Sequence, residues 1–285
     1  MQIPEKFDVL SPTDDQIFKT TVTHPEAKVA LMDIISGAIG QKVIDVIIRN
    51  NELPALSTNE KNQRMDVNCT LDDGSQVNIE MYGSRVAESD GTHLNLINKT
   101  IYYVTSLHAS QDSKGRRYKD LAKTYQIVFC NYTVYADKTD YITRGSFRDE
   151  NGIQISDQAN VVIIELSKLD SLLNKPIYEL TALDAWSLFF KYADEPKHRD
   201  FLNQIISERE AIAVATDVLL SISRDEDERA SYLTRRKNET DRVSEILTAE
   251  HRAMLRAART LKNKQISFEI IAESTGLSLA EIEKL

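Results

Sequence analysis

The chain has 285 residues, of which 41% are hydrophobic and 28% are charged, and this composition excludes an intrinsically disordered protein. No stretch of about 18 consecutive apolar residues occurs, so no membrane-spanning helix is expected. The formal net charge of −9 argues against a protein that coats nucleic acid, which would be basic, and it confines any contact with DNA to a local patch.

The N-terminal segment and the cysteines indicate the compartment. Residues 1–7 lack the basic and then apolar pattern of a secretory signal. Cys69 and Cys130 lie in apolar, strand-like surroundings, where buried free thiols are expected rather than a disulfide bridge. Together these features predict a protein of the reducing cytoplasm.

The first part of the chain predicts two helices and a strand. The sequence Ser-Pro-Thr-Asp at 11–14 is typical of a helix start, with Asp14 or the threonine before it as the cap. Helical spacing follows directly and resumes over residues 27–38, after an interruption at Pro25. The Val- and Ile-rich segment 42–48 then predicts a buried strand.

Residues 64–82 predict a β-hairpin that carries the most informative polar side chains. The pair Asp73-Gly74 marks the turn, because glycine adopts the positive φ that the favoured two-residue turns require. Side chains alternate between the two faces of each strand. If the two polar faces pair, Asp66 and Glu80 meet on one side of the sheet.

Two interpretations of this pair of acids are open. Neighbouring carboxylates repel each other, and a bound divalent cation would justify their pairing, since Mg²⁺ takes one or two carboxylates together with water and substrate phosphate. In the other interpretation they are scattered acids on a solvent-facing surface, since antiparallel sheets often have one polar face. The alternation alone is compatible with both.

The remainder of the chain predicts a mixed sheet followed by a helical region. Helical spacing covers residues 92–109, and the chain is helical again from Asp184 onward. Strands are predicted at 125–135, 141–147 and 161–166. A loop, or alternatively a short edge strand, is predicted at 50–59, a polar stretch covers 83–91, and a turn is predicted at 113–115. This order of elements indicates an α/β or α+β domain with a mixed sheet flanked by helices.

A highly charged segment covers residues 224–240. Charges of both signs at spacings of three and four residues are typical of a solvated helix. The alternative is a DNA contact through Arg235, Arg236 and Lys237, which the mixture of signs disfavours.

The last twenty residues predict a compact helix–turn–helix. Gly276 is suited to end the first short helix, and Ser278 with Glu281 forms a capping box for the second. The functional interpretation is DNA binding by the second helix. Because that helix is acidic, packing or oligomerisation is favoured.

Several motifs occur in a fixed order over about residues 8–170: Asp15-x-x-Phe-Lys19, Arg64-x-Asp66, Asp73-Gly74, Ile79-Glu80-Met81, Tyr102-Tyr103, Gln111, Gly115, Tyr118 and Glu165-Leu-x-Lys168. A Thr-Gly-Leu-Ser…Glu-Ile…Leu tail follows at the end of the chain. This ordered set resembles the recombination-promoting nuclease / putative transposase family of the PD-(D/E)XK nuclease superfamily. The resemblance implies a central mixed sheet flanked by helices, with acids on its middle hairpin.

The resemblance also implies a metal site and an activity. Asp66 and Glu80 would bind Mg²⁺ or Mn²⁺. Asp15 would add a third acid from the first helix, and the backbone carbonyl of Met81 would complete the ligand shell. Such a metal lowers the pKa of its bound water and neutralises charge that develops on a scissile phosphate. The implied activity is hydrolysis of a DNA strand.

The chain departs from the superfamily pattern at Tyr82, where lysine is usual and this family often has glutamine. A tyrosine hydroxyl donates one hydrogen bond and carries no positive charge near neutral pH. Three alternatives are open: Tyr82 substitutes for the usual residue, Lys99 or Gln111 supplies the missing group, or catalysis is lost. Lys19 is a further candidate for a phosphate contact.

These observations predict three regions: a PD-(D/E)XK restriction-endonuclease-like domain over 1–175, a helical extension over 176–262, and a short helix–turn–helix-like tail over 263–285. The expected function is a Mg²⁺-dependent DNA endonuclease related to recombination or mobile elements. The alternative is a catalytically impaired relative that binds DNA or a protein, or that regulates an active paralogue. The helical C-terminal region is also a candidate for homo-oligomerisation.

Overall fold

The computed structural model describes residues 2–49, 52–53, 63–83, 94–111 and 117–285. The loop or edge strand predicted at 50–59, the polar stretch at 83–91 and the turn predicted at 113–115 lie wholly or largely outside these ranges. The chain divides into two compact units, Met1–Arg229 and Ala230–Leu285. The boundaries between the three regions that the sequence predicts, at residues 175 and 262, remain predictions.

A mixed sheet forms the centre of the first unit. Within the described ranges it has six strands in the order β1-β4-β5-β6-β8-β7. The strands are β1 (Val46–Ile48), β4 (Val67–Leu71), β5 (Gln76–Tyr82), β6 (Thr124–Cys130), β7 (Ile142–Arg148) and β8 (Gln154–Glu165), and a separate pair is formed by β2 (Glu52–Leu53) and β3 (Gln63–Arg64). Strand β5 pairs with β6, and β6 with β8, in the parallel direction, and the other strand pairs are antiparallel. The mixed sheet expected from the sequence is confirmed.

Helices cover both faces of this sheet. They are α1 (Asp15–Thr23), α2 (Lys28–Ile39), α3 (Leu94–Ala109), α4 (Ala182–Tyr192), α5 (Arg199–Glu208) and α6 (Glu210–Arg224). On one face, Leu96 of α3 packs against Val128, Cys130 and Ile163. By the parallel register, Val128 lies beside Glu80, so α3 covers the face that carries this acid.

An aromatic cluster fills the opposite face. The ring of Phe190 in α4 lies 5.3 Å from that of Phe18 in α1 and 5.1 Å from that of Phe129 in β6. Trp186 stacks on Phe190 and donates its indole N–H to Asp33 at 2.8 Å. Each such side chain contributes about 1.5–3 kcal/mol when it is buried. Helix α4, which follows residue 175, thus belongs to the same core as the sheet.

The start of α1 follows the sequence expectation. The Asp14 carboxylate accepts a hydrogen bond from the backbone N–H of Ile17 at 3.1 Å, which satisfies a free donor at the helix end. The predicted interruption at Pro25 is confirmed, because a single 3₁₀ turn, Pro25–Ala27, separates α1 from α2.

Several strand predictions were wrong in detail. Residues 42–48 form a strand only over the last three, and Ile47 is 52% exposed, because β1 lies at the edge of the sheet. The strand predicted at 125–135 ends at Cys130, and the one predicted at 161–166 begins at Gln154. The hairpin turn has four residues, 72–75, between its strands rather than two, with Gly74 at φ +85°.

The second unit is a helical bundle. It contains most of α7 (Glu226–Asn263), α8 (Phe268–Thr275) and α9 (Leu279–Glu283). Ala258, Ile271, Leu277 and Ile282 form its buried cluster. The Ser278–Glu281 capping box is confirmed, as is the end of α8 at Gly276, which has φ +70°. None of the helices among the described residues is both long enough and apolar enough to span a membrane.

Candidate active site

The β4–β5 hairpin brings Asp66 and Glu80 together. Val67 pairs with Ile79 in the antiparallel register, so Asp66, which directly precedes β4, lies opposite Glu80. The backbone N–H of Asp66 donates to Glu80 Oε1 at 3.3 Å, and the backbone N–H of Met81 donates to Asp66 Oδ2 at 3.3 Å. The two carboxyl groups are therefore held by each other's strands.

Glu80 is also held by a buried amide pair. The Asn78 amide nitrogen donates to Glu80 Oε1 at 2.9 Å and to Gln126 Oε1 at 3.0 Å. All three side chains are buried, and that of Glu80 is only about 2% exposed. Buried hydrogen bonds of this kind fix the rotamer of the acid. The polar alternation of β5 pointed to Asn78, whereas Gln126 comes from a strand 48 residues away and gave no local signal.

Asp15 joins the pair from the start of α1. Its carboxyl group hydrogen-bonds to that of Asp66 and adds negative charge beside Glu80. A close backbone contact brings these elements together, because a Cβ added at Gly83 would lie 2.0 Å from the carbonyl oxygen of Thr13. Only glycine therefore allows the end of β5 to approach the turn before α1 so closely.

Burial disfavours ionisation of both Asp66 and Glu80. Burial first, and then the charges of Glu80 and Asp15, raise the pKa of Asp66 to about 9. Burial also raises the pKa of Glu80, although the hydrogen bond from Asn78 and the charge of Lys99 oppose this. Two desolvated carboxyls ionise together only beside added positive charge.

The donor set fits a hard divalent cation. Among the described residues, no group of three or more His, Cys, Asp or Glu side chains has the arrangement of a metal site. Mg²⁺ does not require such a cage, because it commonly binds to one or two carboxylates and otherwise to water and phosphate oxygens. Asp66 and Glu80 would hold the ion, and the all-oxygen ligands favour Mg²⁺ or Mn²⁺.

Lys99 lies over the Tyr82 ring and supplies a positive charge at one side of the site. The Tyr82 hydroxyl donates to Glu80 Oε2 at 3.5 Å, and its ring packs against the cluster beneath α3. Burial is the main cause that raises the pKa of Tyr82, so the hydroxyl stays protonated. The Lys99 ammonium lies 4.8 Å from the Tyr82 ring centre, 5.1 Å from that of Tyr103 and 3.9 Å from Glu80 Oε2. A positive charge therefore lies beside the acids although position 82 has none.

Gln111 and Lys19 are two further site candidates from the sequence, and the contacts described for them lie away from the acid pair. The Gln111 side chain donates to the Ala122 carbonyl at 2.9 Å and accepts from the Ala122 N–H at 2.9 Å. Ala122 lies just before β6 begins, six residues before Val128, which pairs with Glu80. The described contact of Lys19 is within α1, where its carbonyl accepts from Thr23.

Comparison with known proteins identifies one related family. A family model described as "PD-(D/E)XK nuclease family transposase" matches residues 12–249. No curated protein and no solved structure matches the chain. The matched segment includes the whole sheet and all three acids.

Proposed function

The chain belongs to the PD-(D/E)XK nuclease family transposases, and on this premise we propose that it is a divalent-metal-dependent DNA endonuclease. Nucleases of this class generally use divalent metal ions, and the mixed sheet flanked by helices has the corresponding fold. The observation that carries the proposal is the desolvated pair Asp66 and Glu80: the Glu80 carboxyl accepts from the Asp66 N–H, and the Asp66 carboxyl accepts from the Met81 N–H. A role in recombination or in mobile elements is part of the proposal.

In this proposal the acids bind Mg²⁺ or Mn²⁺. Asp66 and Glu80 are the principal ligands, Asp15 is a third acid, and the Met81 carbonyl is the remaining protein ligand. The bound ion would supply a water of lowered pKa and neutralise phosphate charge. Asn78 keeps Glu80 in one orientation, and the backbone N–H of Met81 does the same for Asp66.

We propose that Lys99 replaces the cation missing at position 82. Its ammonium lies at the edge of the acid pair, held over the rings of Tyr82 and Tyr103. A lysine there donates hydrogen bonds to the scissile phosphate and stabilises charge that develops during hydrolysis. Tyr82 is then a positioning residue for Lys99. Gln111 and Lys19 remain lesser candidates for contact with the substrate or support of the site.

Nicking of supercoiled plasmid in Mg²⁺ or Mn²⁺ tests the proposal. We expect the unmodified chain to convert supercoiled plasmid to the open circle, and Asp66→Asn or Glu80→Gln to abolish this. Asp217→Asn is the matched control, because Asp217 is exposed on α6. Activity that survives both site variants, or that does not need a divalent ion, contradicts the proposal.

A second candidate is a non-catalytic relative that binds DNA or a protein, or regulates an active paralogue. The observation that favours it is Tyr82, which lacks the charge of lysine and the amide of glutamine. Calorimetry separates the two: this candidate predicts no Mg²⁺ binding by the unmodified chain and nicking only after Tyr82→Gln or Tyr82→Lys. Strong nicking by the unmodified chain excludes it.

The setting of the enzyme completes the proposal. We propose that residues 1–175 carry the chemistry, and that the helices of 176–262 and the tail of 263–285 serve binding and assembly as a homo-oligomer. We also propose a reducing, cytoplasmic location. Its support is that Cys69 and Cys130 are buried free thiols.

A further inference from the structure

A basic segment stands out in an acidic chain. Residues 251–268 contain three arginines and two lysines but no aspartate or glutamate, whereas the whole chain has a net charge of −9. The three arginines are Arg252, Arg256 and Arg259, all in α7 and all exposed. We define them as the arginine stripe.

The stripe carries charge that its own helix does not neutralise. Its members are spaced by four and three residues, so they lie on one side of α7. No acid stands three or four residues from any of them, and in the part of the chain that the structure describes none forms an ion pair. Like charges at this spacing destabilise a helix. A polyanion bound along the stripe would remove that repulsion.

The other side of α7 is the packed one. Ala258 is fully buried in the cluster with α8 and α9. At 3.6 residues per turn, the stripe lies about 100–160° around the helix from Ala258. The Lys262 ammonium donates to the carbonyls of Ile282 and Glu283, which ties the end of α9 to α7. The two short helices therefore support α7 and leave the stripe open to solvent.

We propose that the arginine stripe binds the phosphate backbone of duplex DNA. Arg252 and Arg259 are separated by about 10 Å along the helix axis, which spans about three phosphates at 3.4 Å per nucleotide of one strand. Guanidinium groups match phosphate oxygens in a two-pronged hydrogen-bonded geometry. The choice of DNA as the polyanion rests on the proposed function. The stripe then supplies affinity without reading sequence, since phosphate contacts carry none.

Fluorescence anisotropy with a labelled 30-base-pair duplex, in chelator so that no cleavage occurs, tests this. The triple variant R252Q/R256Q/R259Q should bind about tenfold or more weakly at 0.1 M salt. The slope of log K against log salt should fall by about 2–3, at about 0.9 for each lost phosphate contact. The variant with three lysines should keep most of the slope, because lysine still neutralises phosphate.

A matched control is available on the same helix. The variant R235Q/R236Q/K237Q changes the net charge equally, but those residues lie among acids such as Glu239 and Asp241. It should bind within about twofold of the unmodified chain. Thermal unfolding followed by circular dichroism checks each variant. If the triple variant is destabilised, R256Q alone should lower the slope by about 0.9.

Two results overturn the proposal. One is equal loss of DNA binding in the two triple variants, or no loss in either. The other is loss of binding to polyglutamate or phosphatidylserine vesicles with DNA binding unchanged, which would assign the stripe to an acidic protein or a membrane surface. Nicking is measured separately. DNA binding through the stripe without nicking refutes the endonuclease and leaves this inference standing.

Discussion

At the scale of single residues, the site consists of acids that the fold keeps from ionising together. Burial and the nearby charges of Glu80 and Asp15 raise the pKa of Asp66 to about 9. In the unfolded chain the same group ionises near its ordinary value of 3.8. Without a cation, the folded state therefore holds a proton that the unfolded state has released across this pH range. Stability must then fall as pH rises.

The first prediction concerns this pH dependence. In chelator, the melting temperature of the unmodified chain should fall between about pH 5 and pH 9, and Asp66→Asn should flatten the fall because it removes the titrating group. At pH 8 the variant should have a higher melting temperature than the unmodified chain, by about 2–4 °C for each kcal/mol of folding stability that it recovers. Asp217→Asn should leave the slope unchanged. Equal slopes for all three proteins would contradict the burial-driven shift.

The raised pKa of Asp66 also predicts the effect of metal. In the proposed function a divalent cation binds the ionised acids, so added Mg²⁺ or Mn²⁺ should raise the melting temperature at pH 8 more than at pH 5. Asp66→Asn should lose most of this response. The measurement needs no catalytic activity, so it tests the metal site even if the protein does not cleave DNA.

Lys99 supports the second prediction. Lys99→Gln should reduce the nicking rate about 10–100-fold, because it removes the positive charge beside the acid pair and phosphate charge would then be less stabilised. Lys99→Arg should keep a larger part of the rate, since it restores the charge. Binding of DNA in chelator should change little. Plasmid nicking at saturating metal is the measurement.

Lys42→Gln is the control for Lys99. It removes the same charge from an exposed position before β1. Nicking by this variant should remain within about threefold of the unmodified chain. A Lys99→Gln protein that nicks at the unmodified rate would remove Lys99 from the site and return the question to Tyr82.

At the scale of elements, the site depends on the approach of β5 to the start of α1. Gly83 is the contact point, because an added Cβ would lie 2.0 Å from the Thr13 carbonyl oxygen. Neither backbone can move alone: Thr13 lies beside the capped start of α1, and the carbonyl of Tyr82 accepts from the Asn131 N–H at 2.9 Å. This backbone contact between Gly83 and Thr13 places Asp15, at the start of α1, beside Asp66.

The third prediction is that Gly83→Ala separates these acids. The overlap should cost about 1–3 kcal/mol of stability. It should also weaken Mg²⁺ binding and lower nicking. Gly145→Ala is the matched control, since a Cβ there meets nothing within 4 Å and it should change neither property. Calorimetric Mg²⁺ titration and urea unfolding are the measurements. Unchanged metal binding in Gly83→Ala would show that the contact between Gly83 and Thr13 does not position Asp15.

Elements with local sequence signals were predictable. The hairpin followed from polar alternation and a single Asp-Gly pair, and the register then fixed Asp66 opposite Glu80. The start of α1 and the end of α8 followed from a capping aspartate and a glycine. In each case the residues that determine the structure are within a few positions of one another.

Features that depend on distant segments were not predictable. Gln126 meets Asn78 only because β6 inserts beside β5 in parallel, which no alternation pattern reveals. Ile47 was expected to be buried from its β-branched neighbours, but burial depends on a strand's place in the sheet, and β1 is at the edge. The need for Gly83 likewise arises from a contact with residue 13.

At the scale of the whole molecule, charge is distributed unevenly along the chain. The acids of the site and most of the negative charge lie before residue 251, and the arginine stripe lies after it. A protein with net charge −9 repels DNA at long range, so a local basic surface is required for association. The arginine stripe in the second unit meets that requirement.

The helix that carries the stripe also presents apolar side chains. Leu233, Leu247 and Met254 lie at multiples of seven residues along α7 and are 60%, 54% and 42% exposed. A seven-residue repeat of apolar side chains is the pattern of helices that pair in a coiled coil. Met254 is about 140–160° around the helix from each of Arg252, Arg256 and Arg259. A second copy can therefore pack on one side of α7 while DNA contacts the other.

The last prediction is that α7 pairs with the same helix of a second copy. Light scattering after size exclusion should give twice the 32.3 kDa mass of the chain, and L233Q/L247Q/M254Q should give the single mass, because the apolar seam is lost. The control I153Q/I155Q removes exposed apolar side chains from the β7–β8 hairpin and should remain dimeric. An unmodified chain that elutes at 32.3 kDa at every concentration contradicts the pairing. Since the stripe lies on the other side of α7, the seam variant should keep the DNA affinity of one stripe while losing the gain that two linked stripes provide.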